Sequence, residues 1–180
     1  MIEIAGASAG TPAGAKPAGG NGAVNGAAGE RVRAPADAAE ASRAAPGPLQ
    51  RAALAVLRGE WTTLAVVATH PAAPVQPLAA ALAEVARAYR LRPVRVLDAS
   101  AASGPALAQL QDELSAARGG DGRVAVAVDD PRASPAGAPL LVHVEAVVLV
   151  VRLGATALRA VEETVELVGR ERVLGCVVAR

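Results

Sequence analysis

The chain has 180 residues, 18 basic and 17 acidic, so its net charge of +1 implies no strongly charged partner. A single cysteine excludes an intramolecular disulfide framework and suits a reducing compartment. Phe is absent, and with one Trp and one Tyr the core must be built from Val, Leu and Ala. The longest apolar run is too short to cross a membrane, and the N-terminus lacks a signal-peptide pattern, so we expect a soluble cytoplasmic protein.

The first segment, residues 1–47, is rich in Ala, Gly, Pro and Ser and has almost no large apolar side chains. Such a segment cannot bury enough surface to offset its backbone entropy, so we expect a disordered tail. The remaining residues, 48–180, are expected to form one domain. It begins with a short helix over 50–58 that carries its apolar residues on one side and ends at Gly59.

Five apolar runs of strand length alternate with helical patterns along the rest of the chain. The predicted strands cover 61–69, 92–98, 123–131, 144–152 and 172–178. Helical periodicity predicts helices over 78–89, between Ser103 and Gly119 and over 158–168, with a short helix near 140–143. This alternation predicts an α/β fold, a three-layer, doubly wound sandwich around a mostly parallel sheet. The last strand–helix–strand unit is expected to have a right-handed crossover.

Ligands of such sheets bind beyond the carboxyl ends of the strands, so the segments there are the candidate site. They include the loop 70–77 after the first strand, Asp98 after the second and Asp129 after the third. Carboxylates at strand ends, such as Asp98 and Asp129, commonly cap the next helix or are solvated. His70 is more simply explained as a solvated loop residue than as an anion ligand.

The order of these motifs resembles a known family. The segments 126–131, 145–152 and 173–178 look like the second half of the bacterial tyrosine kinase (BY-kinase) family, which belongs with the MinD/ParA-type P-loop ATPases of capsule and exopolysaccharide assembly. The resemblance extends more weakly backward over residues 50–180. It implies a P-loop NTPase-like fold, a phosphate-binding loop after the first strand, and Asp98 and Asp129 at the magnesium-side positions.

The loop at the phosphate position departs from the family pattern. A P-loop needs glycines, so that consecutive N–H groups can converge on phosphate, and a lysine that reaches the β and γ oxygens. The segment 69–77 has no glycine, and its prolines lack N–H groups. Gln76 stands where the lysine would be and Pro77 where the magnesium-binding hydroxyl would be. His70, Pro74, Gln76 and Pro77 are therefore remnants of a degenerate loop, and we expect no cofactor.

Three further features of the family are missing. Its paired acids after the second strand are reduced to Asp98 alone, and the Asn that contacts the base corresponds to Ala179. The tyrosine-rich C-terminal tail is absent too. A cluster of arginines at 87, 90, 92 and 95 is balanced by acids elsewhere and lacks stacking aromatics, so we expect no nucleic-acid binding.

The sequence with its resemblance therefore predicts a non-catalytic P-loop-fold scaffold or regulator in exopolysaccharide or capsule biosynthesis. It would act by docking to a protein, either an inner-membrane polysaccharide co-polymerase or an active ATPase paralogue, and would reach the membrane only through that partner. Two alternatives stay open. The first is an active MinD/ParA-type or BY-kinase ATPase that binds ATP and magnesium with an unconventional loop. The second is a stand-alone α/β adaptor unrelated to polysaccharide.

Overall fold

The computed structural model describes residues 4–6, 47–100 and 102–179. The α-helices in this part of the chain are α1 (Pro48–Leu57), α2 (Val75–Ala88), α3 (Pro105–Ala117) and α4 (Leu158–Val168). The strands are β1 (Ile4–Gly6), β2 (Thr63–Ala68), β3 (Val94–Asp98), β4 (Arg123–Val128), β5 (Ala146–Arg152) and β6 (Val173–Ala179). Two 3-10 segments, Pro135–His143 and Arg170–Arg172, precede β5 and β6.

The strands form one sheet in the order β1-β6-β5-β2-β4-β3. The five predicted strands are all present and pair in parallel, which confirms the predicted α/β fold. The sixth, β1, pairs antiparallel with β6 and places Ile4 opposite Val177. The sequence assigned these three residues to the tail; apart from them and Gly47, the predicted tail 1–47 lies outside the described residues.

Helices cover both faces of the sheet. Residues of α1 and α2 pack with Leu64, Val66 and Ala68 of β2 on one face. The second face holds Leu114 of α3, Leu140 and Leu141 of the first 3-10 segment and Val168 of α4. The connection from β2 to β3 runs toward the β3 edge, whereas the next three run toward β6. Since parallel crossovers share one hand, this reversal places α2 on the opposite face from α3 and α4.

The central strand β2 is buried along its whole length, as a strand covered on both faces must be. Its neighbours are β4 and β5, whose connections leave on the face opposite α2. The carboxyl end of β2 is therefore the point where the winding direction changes, which is where open α/β sheets form a ligand crevice. The segment placed there is the proline-rich loop.

The amino ends of the strands are held by Arg123. Its guanidinium donates to the carbonyl oxygens of Leu57 and Gly59 at 2.8 and 2.9 Å and lies 4.6 Å from the ring centroid of Trp61. The Trp61 ring is buried, and its indole N–H donates to Val56 O at 3.0 Å. These contacts join the end of α1 to β2 and β4.

In the residues that the structure describes, no helix combines the length and apolar character that a membrane crossing requires.

Candidate functional site

The loop that follows β2 is held by hydrogen bonds to β5 and by hydrogen bonds within the loop. The Thr69 N–H and hydroxyl both donate to Val150 O, at 3.1 and 2.9 Å. The N–H groups of Ala72 and Ala73 donate to Nδ1 and O of His70, at 3.1 and 2.8 Å. The Val75 N–H donates to Ala73 O at 3.0 Å. Four of the five non-proline N–H groups between residues 69 and 75 are thus bonded within the chain.

The helix α2 begins at Val75, three residues before the predicted start at 78, so Gln76 and Pro77 lie in its first turn. Pro77 is tolerated there because the first N–H groups of a helix have no intrahelical acceptor. The helix has no side-chain N-cap, since its N-cap residue is Pro74. Gln76 places its Nε2 in a buried position without a hydrogen-bond partner among the described residues.

Asp98 ends β3 and is engaged by its own loop. Its Oδ1 accepts from the hydroxyl and the N–H of Ser100, at 2.6 and 2.9 Å. Burial opposes ionisation, but the two Ser100 hydrogen bonds and the nearby Gln76 amide outweigh it and hold the pKa of Asp98 below its ordinary value. Gln76 is thus close to this carboxylate although its Nε2 is not in hydrogen-bonding geometry.

Asp129 follows β4, the strand next to β3, and its pKa is raised, first by burial and second by the negative charge of Asp98. The fold therefore brings Asp98, Asp129 and Gln76 into one neighbourhood, as expected for the carboxyl ends of adjacent parallel strands. A depression of about 340 Å³ lies beside Asp98 and is lined by α3 side chains such as Gln109 and Glu113, with none from the loop 69–77. Among the described residues, no group of three or more His, Cys, Asp or Glu side chains is arranged to hold a metal ion.

The best-defined polar cluster at this edge involves two residues of the segment 129–132 after β4, whose pairing the sequence analysis did not predict. Asp130 is buried, and its carboxylate accepts three hydrogen bonds from Arg132: Nη2 donates to Oδ2 at 2.7 Å, and Nε and the backbone N–H each donate to Oδ1 at 3.1 Å. The same Nη2 donates to Thr69 O at 3.2 Å, and Nη1 donates to Glu163 of α4 at 3.4 Å. Arg132 therefore joins the loop after β2, the turn after β4 and helix α4.

A signal for this cluster does exist in the sequence. The resemblance drew attention to Asp129, the first acid after β4, but the second acid is the buried one. A buried carboxylate requires a cation or several donors, and Arg132 is the nearest cation along the chain. The structure thus assigns Asp130 to an internal ion pair and leaves Asp129 half-buried beside Asp98.

This arrangement is suited to fixing the edge of the sheet and poorly suited to holding a triphosphate. Most N–H groups of the loop are bonded within the chain, and the guanidinium next to it is already bonded to a carboxylate and a carbonyl. A comparison of the sequence with known protein families and with curated proteins finds no match.

Proposed function

We propose that the protein is a non-catalytic scaffold or regulator with a P-loop-like fold, which acts in exopolysaccharide or capsule biosynthesis by docking to another protein. The single observation that carries the non-catalytic part is the state of the loop after β2. It lies where a nucleotide phosphate would be bound in such a fold, and four of the five non-proline N–H groups between residues 69 and 75 are bonded within the chain.

The chemistry of phosphate binding supports this proposal. A triphosphate needs several N–H groups directed at one point and a mobile cation that closes over the charge. Pro71, Pro74 and Pro77 supply no N–H, and the loop contains no glycine or lysine. Arg132 is the cation that contacts the loop, and a phosphate would have to displace Asp130, which would then be left buried without a cation and with only the N–H of residue 132 as a donor.

The pathway rests on the resemblance alone. The segments that resemble the BY-kinases and MinD/ParA-type ATPases correspond to β4, β5 and β6, and they surround the strand that carries the degenerate loop. A protein of this kind would act on an inner-membrane polysaccharide co-polymerase or on an active ATPase paralogue. Its contribution would be a binding surface and not a chemical step.

One observation favours the alternative of an active ATPase with an unconventional loop. Asp98 and Asp129 lie close enough for the charge of one to raise the pKa of the other, and carboxylates in such a pair are hard-cation ligands. Magnesium would in that case be held by these carboxylates and by the phosphates of ATP. The protein would then bind the nucleotide mainly through the metal.

A titration of the full-length chain with a fluorescent ATP analogue separates the two functions. We expect no saturable binding in the micromolar range, with or without magnesium. Magnesium-dependent binding in that range, lost in Asp98→Asn and Asp129→Asn, would establish the alternative. A second experiment tests docking: the tagged chain is mixed with the purified cytoplasmic segment of a polysaccharide co-polymerase and, separately, with an active ATPase paralogue. If the chain binds neither, the pathway is removed from the proposal.

A further inference from the structure

The two edges of the sheet differ in whether a further strand covers the edge strand. At one edge β6 is covered by β1, which pairs with it in antiparallel register over Ile4 to Gly6. At the other edge β3 pairs only with β4 among the strands that the structure describes. An uncovered edge offers backbone N–H and C=O groups to any extended segment that can lie beside it.

The hydrogen bonds to β4 identify which groups of β3 are free. The Arg123 N–H donates to Pro93 O at 2.8 Å, and the Ala99 N–H donates to Ala127 O at 2.9 Å. Because backbone groups alternate sides along a strand, the odd-numbered residues from 93 to 99 face β4. The N–H and C=O groups of Val94, Val96 and Asp98 therefore face away from the sheet.

A groove runs along this edge between the end of α2 and the start of β3. Its volume is about 420 Å³, and it is lined by Glu84, Arg87, Arg90, Leu91 and Val94 together with smaller residues. Beside it Tyr89 and Leu91 are 53% and 43% exposed, a large apolar area for neighbouring positions of a surface. The edge thus combines free backbone groups with exposed apolar side chains.

The charge along the groove is positive. In the groove Arg87 and Arg90 stand against Glu84 alone, whereas farther along the edge Arg92 and Arg95 stand against Glu113, Asp121 and the exposed carboxylate of Asp98. Arg95 is paired with Glu113 at 3.1 Å, and Arg92 donates to the carbonyl oxygens of Gly120 and Asp121. Arg87 and Arg90 form no ion pair with any described residue, so their charges are available to a partner.

Arg90 also occupies a position that its backbone disfavours. The end of α2 is a Schellman motif: the Leu91 N–H donates to Ala86 O at 2.8 Å and the Arg90 N–H donates to Arg87 O at 3.2 Å. Arg90 has a φ of 52°, a left-handed conformation in which glycine is the usual residue. An arginine at this strained position, facing the groove, indicates a use for its side chain.

We infer that the outer edge of β3 and the adjoining arginine-lined groove bind an extended acidic segment of a partner protein, which adds to the sheet as a further strand. The free groups of Val94, Val96 and Asp98 supply the main-chain bonds, and Arg87 and Arg90 select acidic side chains. A second copy of this chain would bring the same positive charges to the edge, so charge complementarity favours a different, acidic partner. This inference rests on the proposed docking role and names its surface.

Three variants separate the contributions to binding. Val96→Pro removes an outward N–H without touching the bonds to β4, a substitution that edge strands tolerate. Val96→Ala is its matched control, because both variants lose the valine side chain but only Val96→Pro also loses the backbone N–H. Arg87→Glu combined with Arg90→Glu reverses the charge of the groove at exposed positions.

The probe is a phage-displayed library of short random peptides, selected on the full-length protein. We expect enrichment of acidic peptides without proline in their centre. Val96→Pro should weaken their binding by about fivefold or more relative to Val96→Ala, the loss of one hydrogen bond. The double charge reversal should weaken it about tenfold at low salt and less at high salt. Enriched peptides that bind Val96→Pro and Val96→Ala equally, or no enrichment at all, would overturn the inference.

Amide hydrogen exchange on the free full-length protein gives an independent test. The N–H groups of Val96 and Asp98 should exchange at least about a hundredfold faster than those of Arg95 and Leu97, which bond to β4. Slow exchange at Val96 would mean that the chain itself or a second copy covers the edge, and the mass in solution would show which; either result contradicts an acidic partner site. These outcomes are independent of the ATP titration, which tests the proposed function and not this surface.

Discussion

Arg132 and Asp130 form a bidentate ion pair at the carboxyl edge of the sheet, with Nη2 to Oδ2 at 2.7 Å and Nε to Oδ1 at 3.1 Å. The pair also bonds to Thr69 O, so it holds the loop after β2 in place. Only Pro131 separates the two residues, and the turn they form is closed by the Ser134 N–H, which donates to Asp130 O at 2.8 Å. The guanidinium that contacts the loop is thus already paired with a carboxylate in a salt bridge.

We expect Arg132→Ala to lower the free energy of unfolding by about 2–3 kcal/mol, because Asp130 would remain buried without its cation and with only the N–H of residue 132 as a donor. Urea unfolding followed by the fluorescence of Trp61, the sole tryptophan, measures the loss. Arg159→Ala is the matched control, since Arg159 also belongs to this network but its side chain is 86% exposed. It should cause no measurable change; equal losses in the two variants would contradict the account.

Asp129 is expected to oppose folding at neutral pH. Its pKa is raised by burial and then by the charge of Asp98, so the folded state holds the proton more tightly than the unfolded state does. The contribution of this group is therefore favourable below the ordinary value of 3.8 and is lost as the pH rises through the folded pKa. Asp129→Asn should raise the unfolding free energy at about pH 7 and change it little at about pH 3.

Asp98 is expected to behave in the opposite way. Burial alone would raise its pKa, but the two hydrogen bonds from Ser100 lower it, and the nearby Gln76 amide acts in the same direction without a hydrogen bond. Its stabilising contribution is present above the ordinary value and is lost as the pH falls through the folded pKa. Asp98→Asn should therefore destabilise the protein at neutral pH and have little effect in acid. Urea unfolding at several pH values measures both variants, and the same sign for the two would show that the carboxylates do not interact as described.

The first 3-10 segment is packed tightly against β4 at Gly137. A Cβ at this position would lie 2.8 Å from Cγ1 of Val128, a buried residue. Gly137→Ala is expected to cost about 1–3 kcal/mol through overpacking. The space should be restored in the double variant with Val128→Ala, which would then be less destabilised than the sum of the two single changes. Gly119→Ala is the control, because its Cβ would meet nothing closer than 4.0 Å; additive losses in the double variant would argue against the contact.

Arg90→Gly is expected to stabilise the protein by about 0.5–1 kcal/mol, because glycine adopts the left-handed conformation of the Schellman motif without strain. The same substitution removes a charge from the β3 groove and should weaken binding of acidic peptides. Thermal unfolding and peptide titration, compared with Arg87→Ala, would show this opposition between stability and binding. A loss of stability in Arg90→Gly would mean that the arginine side chain, and not its backbone position, secures the end of α2.

Much of the fold could be predicted because the apolar runs are strongly patterned. Val147 to Val151 and Leu64 to Ala68 are unbroken apolar segments, and a strand covered on both faces produces this pattern. The helix α4 was predicted with its observed bounds because its apolar residues repeat at a helical period. The helix α2 begins at Val75, three residues before Leu78, the first residue of its apolar stripe; Pro77 lies in the first turn, where its missing N–H costs no hydrogen bond.

The sequence analysis did not predict which strands pair when they lie far apart along the chain. The strand β1 has only three residues in an Ala- and Gly-rich context, and its partner β6 lies at the other end of the chain. The strand order, which makes β3 an open edge, depends on which strands pair and not on any local pattern. The Asp130–Arg132 pair was missed for a similar reason: burial decides which of two consecutive acids needs a cation, and β4 is buried on both faces without an alternation to read.

The most direct test of the central claim is an NMR titration of the isotope-labelled full-length protein with ATP and magnesium. If the loop cannot grip a triphosphate, the amide resonances of His70, Ala72, Ala73 and Val75 stay in place at nucleotide concentrations far above those that saturate an ATPase. Saturable shifts of these resonances at micromolar ATP, with shifts at Asp98 and Asp129 that require magnesium, would contradict the account and identify a working nucleotide site.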